Sequence, residues 1–172
     1  MKNCPHCKKE IEIELKKPIV KKEEIEIIDL KLDFNFENMT KRSLNNIEFI
    51  LVHHTGTINS ALVNSIHNNH KNKWDSGIGY HYLIADSGEI FKGRPDEYSG
   101  ANCPDENGNS KGVAISFIGN FEEKEMSNAQ EIAGLKLIHF LKKKYKLDKV
   151  YNHKDLSIEP TICPGKNCPV FV

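Results

Sequence analysis

The chain has 172 residues, enough for one hydrophobic core and a short appendage but not for a second full domain. Lysine plus arginine equals aspartate plus glutamate at 24 each, so no net field draws the chain to nucleic acid or an anionic surface, and no nucleic-acid partner is expected. No apolar run approaches the roughly 18 residues of a membrane span, and no charged-then-apolar leader opens the chain, so synthesis in the cytoplasm and no membrane partner are expected.

Residues 1–9 contain Cys4-Pro5-His6-Cys7, half of a zinc ribbon. Two thiolates do not close a tetrahedral site, so the reading is either a second zinc site completed by another chain, Cys103 or Cys168, or an unstructured tag. Five cysteines are an odd number, a poor fit to a fully paired disulfide framework. Residues 8–26 are rich in lysine and glutamate around Pro18. Ile11 to Leu15 alternates with the period of a strand, and the alternation returns through Ile25, Ile27 and Asp29, which suggests a linker to about Lys22 and then a strand added to the main sheet.

Ile47 to His54 reads as a buried strand, with Ile47, Phe49, Leu51 and His53 on one face and Glu48, Ile50, Val52 and His54 on the other. A helix is expected over Ser60 to Lys73 with Leu62, Val63 and Ile66 inward, its His67 and His70 serving as surface or packing residues. Tyr80 to Ile84 and Glu89 to Lys92 form a hairpin around the turn Asp86-Ser87-Gly88. Asp96 to Lys111, polar and rich in Gly, Asn and Asp, reads as a long functional loop. Val113 to Ile118 is the most continuous buried strand. Ser127 and Gln130 form a capping box that opens a helix whose inward stripe is Ile132, Leu135, Ile138, Leu141 and Tyr145. Lys149 to Tyr151 is a short strand running into His153. Strands interleaved with helices indicate an α/β fold.

Three separated islands carry chemistry: Leu51-Val52-His53-His54-Thr55, Gly79-Tyr80-His81-Tyr82, and Asn152-His153 with Cys163-Pro164-Gly165 ten residues on. Two imidazoles and a thiolate are the ligand set of a zinc site with one open tetrahedral position, where a reactive water sits. A lone strand histidine is by default a core residue, and a lone tyrosine a core aromatic; the joint occurrence of the islands in this order tips both toward function. No pair of acidic residues accompanies the islands, and cleavage of a sugar linkage requires one.

These residues, with Trp74 to Ile84, Gly93-Arg94, Gly112 to Ile115 and Gly119-Asn120-Phe121, make the chain similar to the zinc-dependent N-acetylmuramoyl-L-alanine amidases, the family of the small phage lysozyme-like amidases and the peptidoglycan recognition proteins. The resemblance covers roughly residues 41–172 and leaves 1–40 as an N-terminal extension. It implies a single α/β domain with a central mixed sheet flanked by helices, Zn2+ as cofactor and peptidoglycan muramyl peptide as partner. His53, His153 and Cys163 take the ligand positions, and His54, which points the other way along the strand, is a packed neighbour. Tyr80 takes the electrophilic, water-orienting position. Thr161 stands where some relatives carry a lysine and others a threonine, and could donate a hydrogen bond to an oxyanion.

Thr55, Arg94 and Asn102 are the substrate-binding candidates; Arg94 either holds a substrate carboxylate or ties a loop. Asn102 departs from the Gly-Ala-His of many relatives, since this chain has Gly100-Ala101-Asn102. The implied activity is hydrolysis of the amide between N-acetylmuramic acid and L-alanine, in an endolysin of phage or prophage type that acts on the wall after release. The alternatives are a cytosolic amidase that recycles wall fragments and a non-catalytic peptidoglycan-binding module, whose members typically lack the cysteine ligand or the tyrosine.

Overall fold

The computed structural model describes residues 25–58 and 60–171. Cys4 and Cys7, and the linker to Lys22, lie outside the described residues. The elements are β1 (Ile28–Asp29), β2 (Phe49–His54), α1 (Val63–Trp74), β3 (Tyr82–Ile84), β4 (Ile90–Lys92), α2 (Gly108–Lys111), β5 (Gly112–Phe117), α3 (Asn128–Tyr145), β6 (Lys149–Asn152) and α4 (His153–Leu156). They form one six-stranded sheet in the order β1-β4-β3-β5-β2-β6. Only the β3–β4 hairpin is antiparallel, so the sheet is mixed, as expected for this α/β class.

Parallel strands covered on both faces read as continuous apolar runs. Two interior strands do so: every residue of β2 and of β5 is buried. Ile50 and Val52 of β2, Val113, Ile115 and Phe117 of β5, and Tyr82 and Ile84 of β3 pack with Leu137, Ile138 and Leu141 of α3. On the other side Leu83 and Ile118 meet Val63 and Ile66 of α1. Phe49 and Leu51 pack with Cys103, placing the odd-numbered residues of β2, His53 included, opposite α3.

Several expectations change in the structure. Leu62 is 69% exposed, because α1 begins at Val63 rather than Ser60 and Leu62 is its extended N-cap. Ile132 and Leu135 are 55% and 51% exposed. The buried stripe of α3 is instead Gln130, Ala133, Gly134, Leu137, Ile138 and Leu141, set by a close approach in which a Cβ on Gly134 would meet the Phe117 ring at 2.6 Å. Only half of the capping box forms: the Ser127 hydroxyl accepts the Gln130 N–H at 3.1 Å. The Gln130 amide is fully buried and donates to the Ile84 and Ile118 carbonyls at 3.1 and 3.0 Å, bridging the ends of β3 and β5 rather than returning to the cap. The long loop is also more ordered than its composition suggests, since it contains a 3-10 turn over Asp105–Asn107 and then α2.

Residues 25–40, assigned by sequence to an extension, contribute to the core. The added strand is only β1, paired in parallel with β4. Ile25 and Ile27 pack on the α3 side, and Leu32 and Phe34 on the α1 side. Lys71 of α1 pairs with Asp33 at 2.6 Å.

Two buried polar groups fix the loop beyond β4. Asp96, 6% exposed, accepts from Tyr82 Oη at 2.9 Å, Tyr145 Oη at 2.5 Å, Lys92 Nζ at 2.5 Å and Lys144 Nζ at 2.9 Å. His81 is fully buried, and its Nδ1 accepts the Ala114 N–H at 3.0 Å. The proton of the neutral ring therefore sits on Nε2, which donates to the Tyr98 carbonyl at 3.0 Å. Arg42 Nη2 also lies 2.9 Å from that nitrogen, while Nη1 donates to the carbonyl of Gly112 at 2.8 Å.

Candidate metal centre and active site

The sheet register brings the ligand candidates together. β6 runs parallel to β2 with Val52 opposite Asn152, so the next residue of each strand is a histidine, and the His53 and His153 rings lie 4.5 Å apart. His153 opens α4, where the Asn152 N–H donates to Asp155 Oδ2 at 2.8 Å. The next residue hands the chain to the third island: Lys154 N–H donates to the Cys163 carbonyl at 3.0 Å. After Cys163 the backbone turns tightly at Gly165, with φ +97°, where a Cβ would stand 2.4 Å from the Phe121 carbonyl carbon. Only glycine fits that approach.

Cys163 Sγ lies 3.6 Å from His53 Nδ1. One donor atom from each of His53, His153 and Cys163 falls within 4.8 Å of the others. Metal–sulfur and metal–nitrogen bonds of about 2.3 and 2.0–2.1 Å at a tetrahedral angle put sulfur and nitrogen about 3.6 Å apart. The His53–Cys163 pair has that separation, so the residues present fit a tetrahedral divalent ion. His54 lies on the opposite face: its Nδ1 accepts the Phe121 N–H at 3.2 Å and its own N–H donates to Cys163 Sγ at 3.4 Å.

Burial holds the His53 imidazole far below the usual histidine range, and the neighbouring His153 charge pushes it the same way, while the Asn102 side chain opposes them. Burial also lowers His153, with Asp105 opposing. Both imidazoles are therefore neutral at physiological pH, the form that ligates. Burial pushes the Cys163 thiol up to about 11, partly offset by the His54 amide. A thiol in such a pocket becomes a thiolate when a cation sits beside it.

Tyr80 precedes β3 and reaches the same space, its ring 5.3 Å from His53 and 5.7 Å from His70. Its hydroxyl is pushed up to about 12 by burial and by the Cys163 charge, with the polar Ser116 side chain opposing, so it remains a proton donor at neutral pH. His70, read as a packing residue, supports this segment: its Nδ1 accepts the Gly79 N–H at 3.3 Å.

The other candidates are held as follows. Thr161, half-buried, accepts the Cys163 N–H at 3.2 Å through its hydroxyl. Thr55 Oγ1 accepts the Gly119 N–H at 3.0 Å and meets Thr57 Oγ1 at 2.7 Å. Arg94 is 3% exposed and donates to the Ile78 carbonyl at 3.0 Å, the Ser99 carbonyl at 2.9 Å and Ser76 Oγ at 2.8 Å. Of the two roles open to Arg94, these bonds are those of the loop tie. Asn102 Nδ2 donates to the Gly79 carbonyl at 2.8 Å.

Ser116 was not singled out by sequence. It faces the site because β5 pairs in parallel with β2 and sets Ser116 opposite His53. A cleft lined by Leu30, Ile58, Leu62, Ala85, Phe91 and Ile118 contains none of the residues of this site and plays no part in its chemistry.

The profile of the family described as N-acetylmuramoyl-L-alanine amidase matches residues 43–166. Among solved structures, the N-acetylmuramoyl-L-alanine amidase LysC from Clostridium intestinale URNW is 33% identical, with a TM-score of 0.73 over 84% of this chain and 91% of that one. The endolysin N-acetylmuramoyl-L-alanine amidase LysCS from the same source is 31% identical, with a TM-score of 0.69 over 83% and 88%. Peptidoglycan-recognition protein 2 of Holotrichia diomphalia is 30% identical over 129 residues, 69% of this chain and 67% of the relative. A profile match over most of the chain, on a fold shared with these amidases, makes it a member of the N-acetylmuramoyl-L-alanine amidase family.

Proposed function

We propose that this protein is a zinc-dependent peptidoglycan hydrolase of the endolysin type, which cleaves the amide between N-acetylmuramic acid and the L-alanine of the stem peptide. The observation that carries this reading is the convergence of His53, His153 and Cys163 donor atoms within 4.8 Å, with the Tyr80 ring 5.3 Å from His53. Zinc held by those three residues would supply a Lewis acid for the amide carbonyl and lower the pKa of a water at the open position to about 7.

The protein's own groups do the rest. Tyr80, protonated throughout the neutral range, donates a hydrogen bond to the oxyanion that develops as the carbonyl is attacked. The Thr161 hydroxyl, held beside the Cys163 turn, is a second donor on that side. Sugar hydrolysis would need two carboxylates flanking the glycosidic oxygen. Asp105, the carboxylate that acts on His153, already accepts from the Ile158 N–H at 3.0 Å.

Similarity to the endolysin amidase supports action on the wall after release, and similarity to a peptidoglycan-recognition protein supports recognition without cleavage as the second reading. Retention of both Cys163 and Tyr80 favours catalysis. Digestion of purified sacculi decides between them. New L-alanine amino termini with glycan strands of unchanged length are expected. New reducing ends alone would make it a glycosidase, amino termini deeper in the stem an endopeptidase, and binding without release a recognition module.

A further inference from the structure

Four buried polar side-chain atoms lack a hydrogen-bond partner among the described residues: His53 Nε2, Asn102 Oδ1, Ser116 Oγ and Gln130 Oε1. Three of them surround the candidate metal centre. A buried donor or acceptor left unsatisfied costs about 1–3 kcal/mol, so such a cluster calls for an explanation.

His53 faces Cys163 through Nδ1, 3.6 Å from the sulfur. If Nδ1 is the bare, ligating nitrogen, the neutral ring carries its proton on Nε2. That N–H is buried and needs an acceptor.

Asn102 Oδ1 is an unpartnered buried acceptor, and the Asn102 side chain is the polar group that acts on the His53 ring against its burial. Its orientation is fixed by the rest of the residue. Nδ2 donates to the Gly79 carbonyl at 2.8 Å, which leaves Oδ1 as the free end of the amide. The backbone is pinned as well: Asn102 N–H and Cys103 N–H both donate to Asn109 Oδ1, at 2.8 and 2.9 Å. Neighbouring chain leaves no slack, because a Cβ on Gly100 would stand 2.4 Å from Asn102 Nδ2 and one on Gly79 would stand 2.1 Å from the Ala101 carbonyl oxygen.

We infer that Asn102 is a positioning residue of the metal centre, its Oδ1 accepting the His53 Nε2–H so that Nδ1 is the bare nitrogen turned toward Cys163, while its Nδ2 holds the Gly79 carbonyl. Through one amide it orients both a metal ligand and the peptide that leads into Tyr80. Asn102, which the resemblance places among the substrate contacts, acts on substrate only through those two groups. The inference rests on the zinc reading proposed above.

The test measures zinc affinity by chelator competition in the full chain carrying Cys4→Ser and Cys7→Ser, which removes the remote thiols. Asn102→Leu keeps the size and loses both amide functions; Asn102→Asp keeps the acceptor and loses the donor to Gly79. Loss of an outer-shell partner typically weakens metal binding 10–100-fold. Asn102→Leu is expected to lose about that much, and Asn102→Asp to stay near the parent.

An Asn102→Leu affinity within two-fold of the parent, or an equal fall in both variants, would overturn the inference. Nitrogen-15 NMR of the metal-free parent chain tests the contact without any variant. The His53 proton is expected on Nε2, and a proton on Nδ1 would overturn the inference even if Asn102→Leu fails to fold. A parent chain that takes up no zinc would instead sink the functional reading, and the NMR tautomer would still decide the contact.

Discussion

Replacing Tyr80 by phenylalanine isolates the hydroxyl from the rest of the site. The ring contacts to His53 at 5.3 Å and His70 at 5.7 Å survive the change, and the three metal donors are untouched. Stability should fall by no more than the net worth of one hydrogen bond, about 0.5–1.5 kcal/mol. Catalysis should fall much further. The hydroxyl is buried and held at about 12, so it is a donor throughout the neutral range. Removing one donor to a developing oxyanion typically costs about 2.7–4 kcal/mol, which is about 10²–10³ in kcat. An interaction made only in the transition state leaves KM nearly unchanged. The assay is kcat and KM on a muramyl-L-alanyl peptide, with zinc content and Tm measured on the same preparation. Wild-type kcat at full zinc loading would reduce Tyr80 to a packing residue, and loss of zinc in the variant would refute the separation of roles.

Asp96→Ala should destabilise the fold by about 3–5 kcal/mol in urea titration, because it strands two ammoniums and two phenols around a buried site; an unchanged midpoint would contradict the hub. Burial and Arg42 lower the pKa of His81 to about 3. The unfolded chain therefore binds the proton first, and stability present above about 6.5 is lost as pH falls toward 3. This histidine alone should cost about 2 kcal/mol between pH 7.5 and pH 5, and His81→Gln should flatten that slope; parallel pH profiles would refute it. A chain beginning at residue 25 should keep the wild-type Tm, whereas one beginning at residue 41 loses Ile25, Ile27, Leu32 and Phe34 from both faces and should melt lower; equal Tm values would return residues 25–40 to the status of an appendage.

The candidate ligand residues were legible because their types and local context carry the chemistry, whatever the path of the chain between them. Their meeting was expected only through the resemblance; the parallel registers β2–β6 and β2–β5 that bring it about are encoded in no local pattern. The same registers hid Ser116. Strand alternation separated His53 from His54 correctly, but helix periodicity failed on α3. Ile132 and Leu135 are as apolar as the buried positions, and what turns the helix is the fit of Gly134 under Phe117, a tertiary contact. The partners of Gln130 and Asn102 escape local pattern for a related reason. Each is a polar side chain with partners 12 or more residues away; the local rule assigned Gln130 to its own helix cap, and the resemblance alone placed Asn102 among the substrate contacts.

The most direct test of the central claim is zinc content per chain. With Cys4 and Cys7 replaced by serine, the purified protein should hold one zinc, carried by His53, His153 and Cys163. Adding Cys163→Ala should remove both that zinc and amidase activity while leaving the fold intact. Stoichiometric zinc retained in the triple variant would contradict the account.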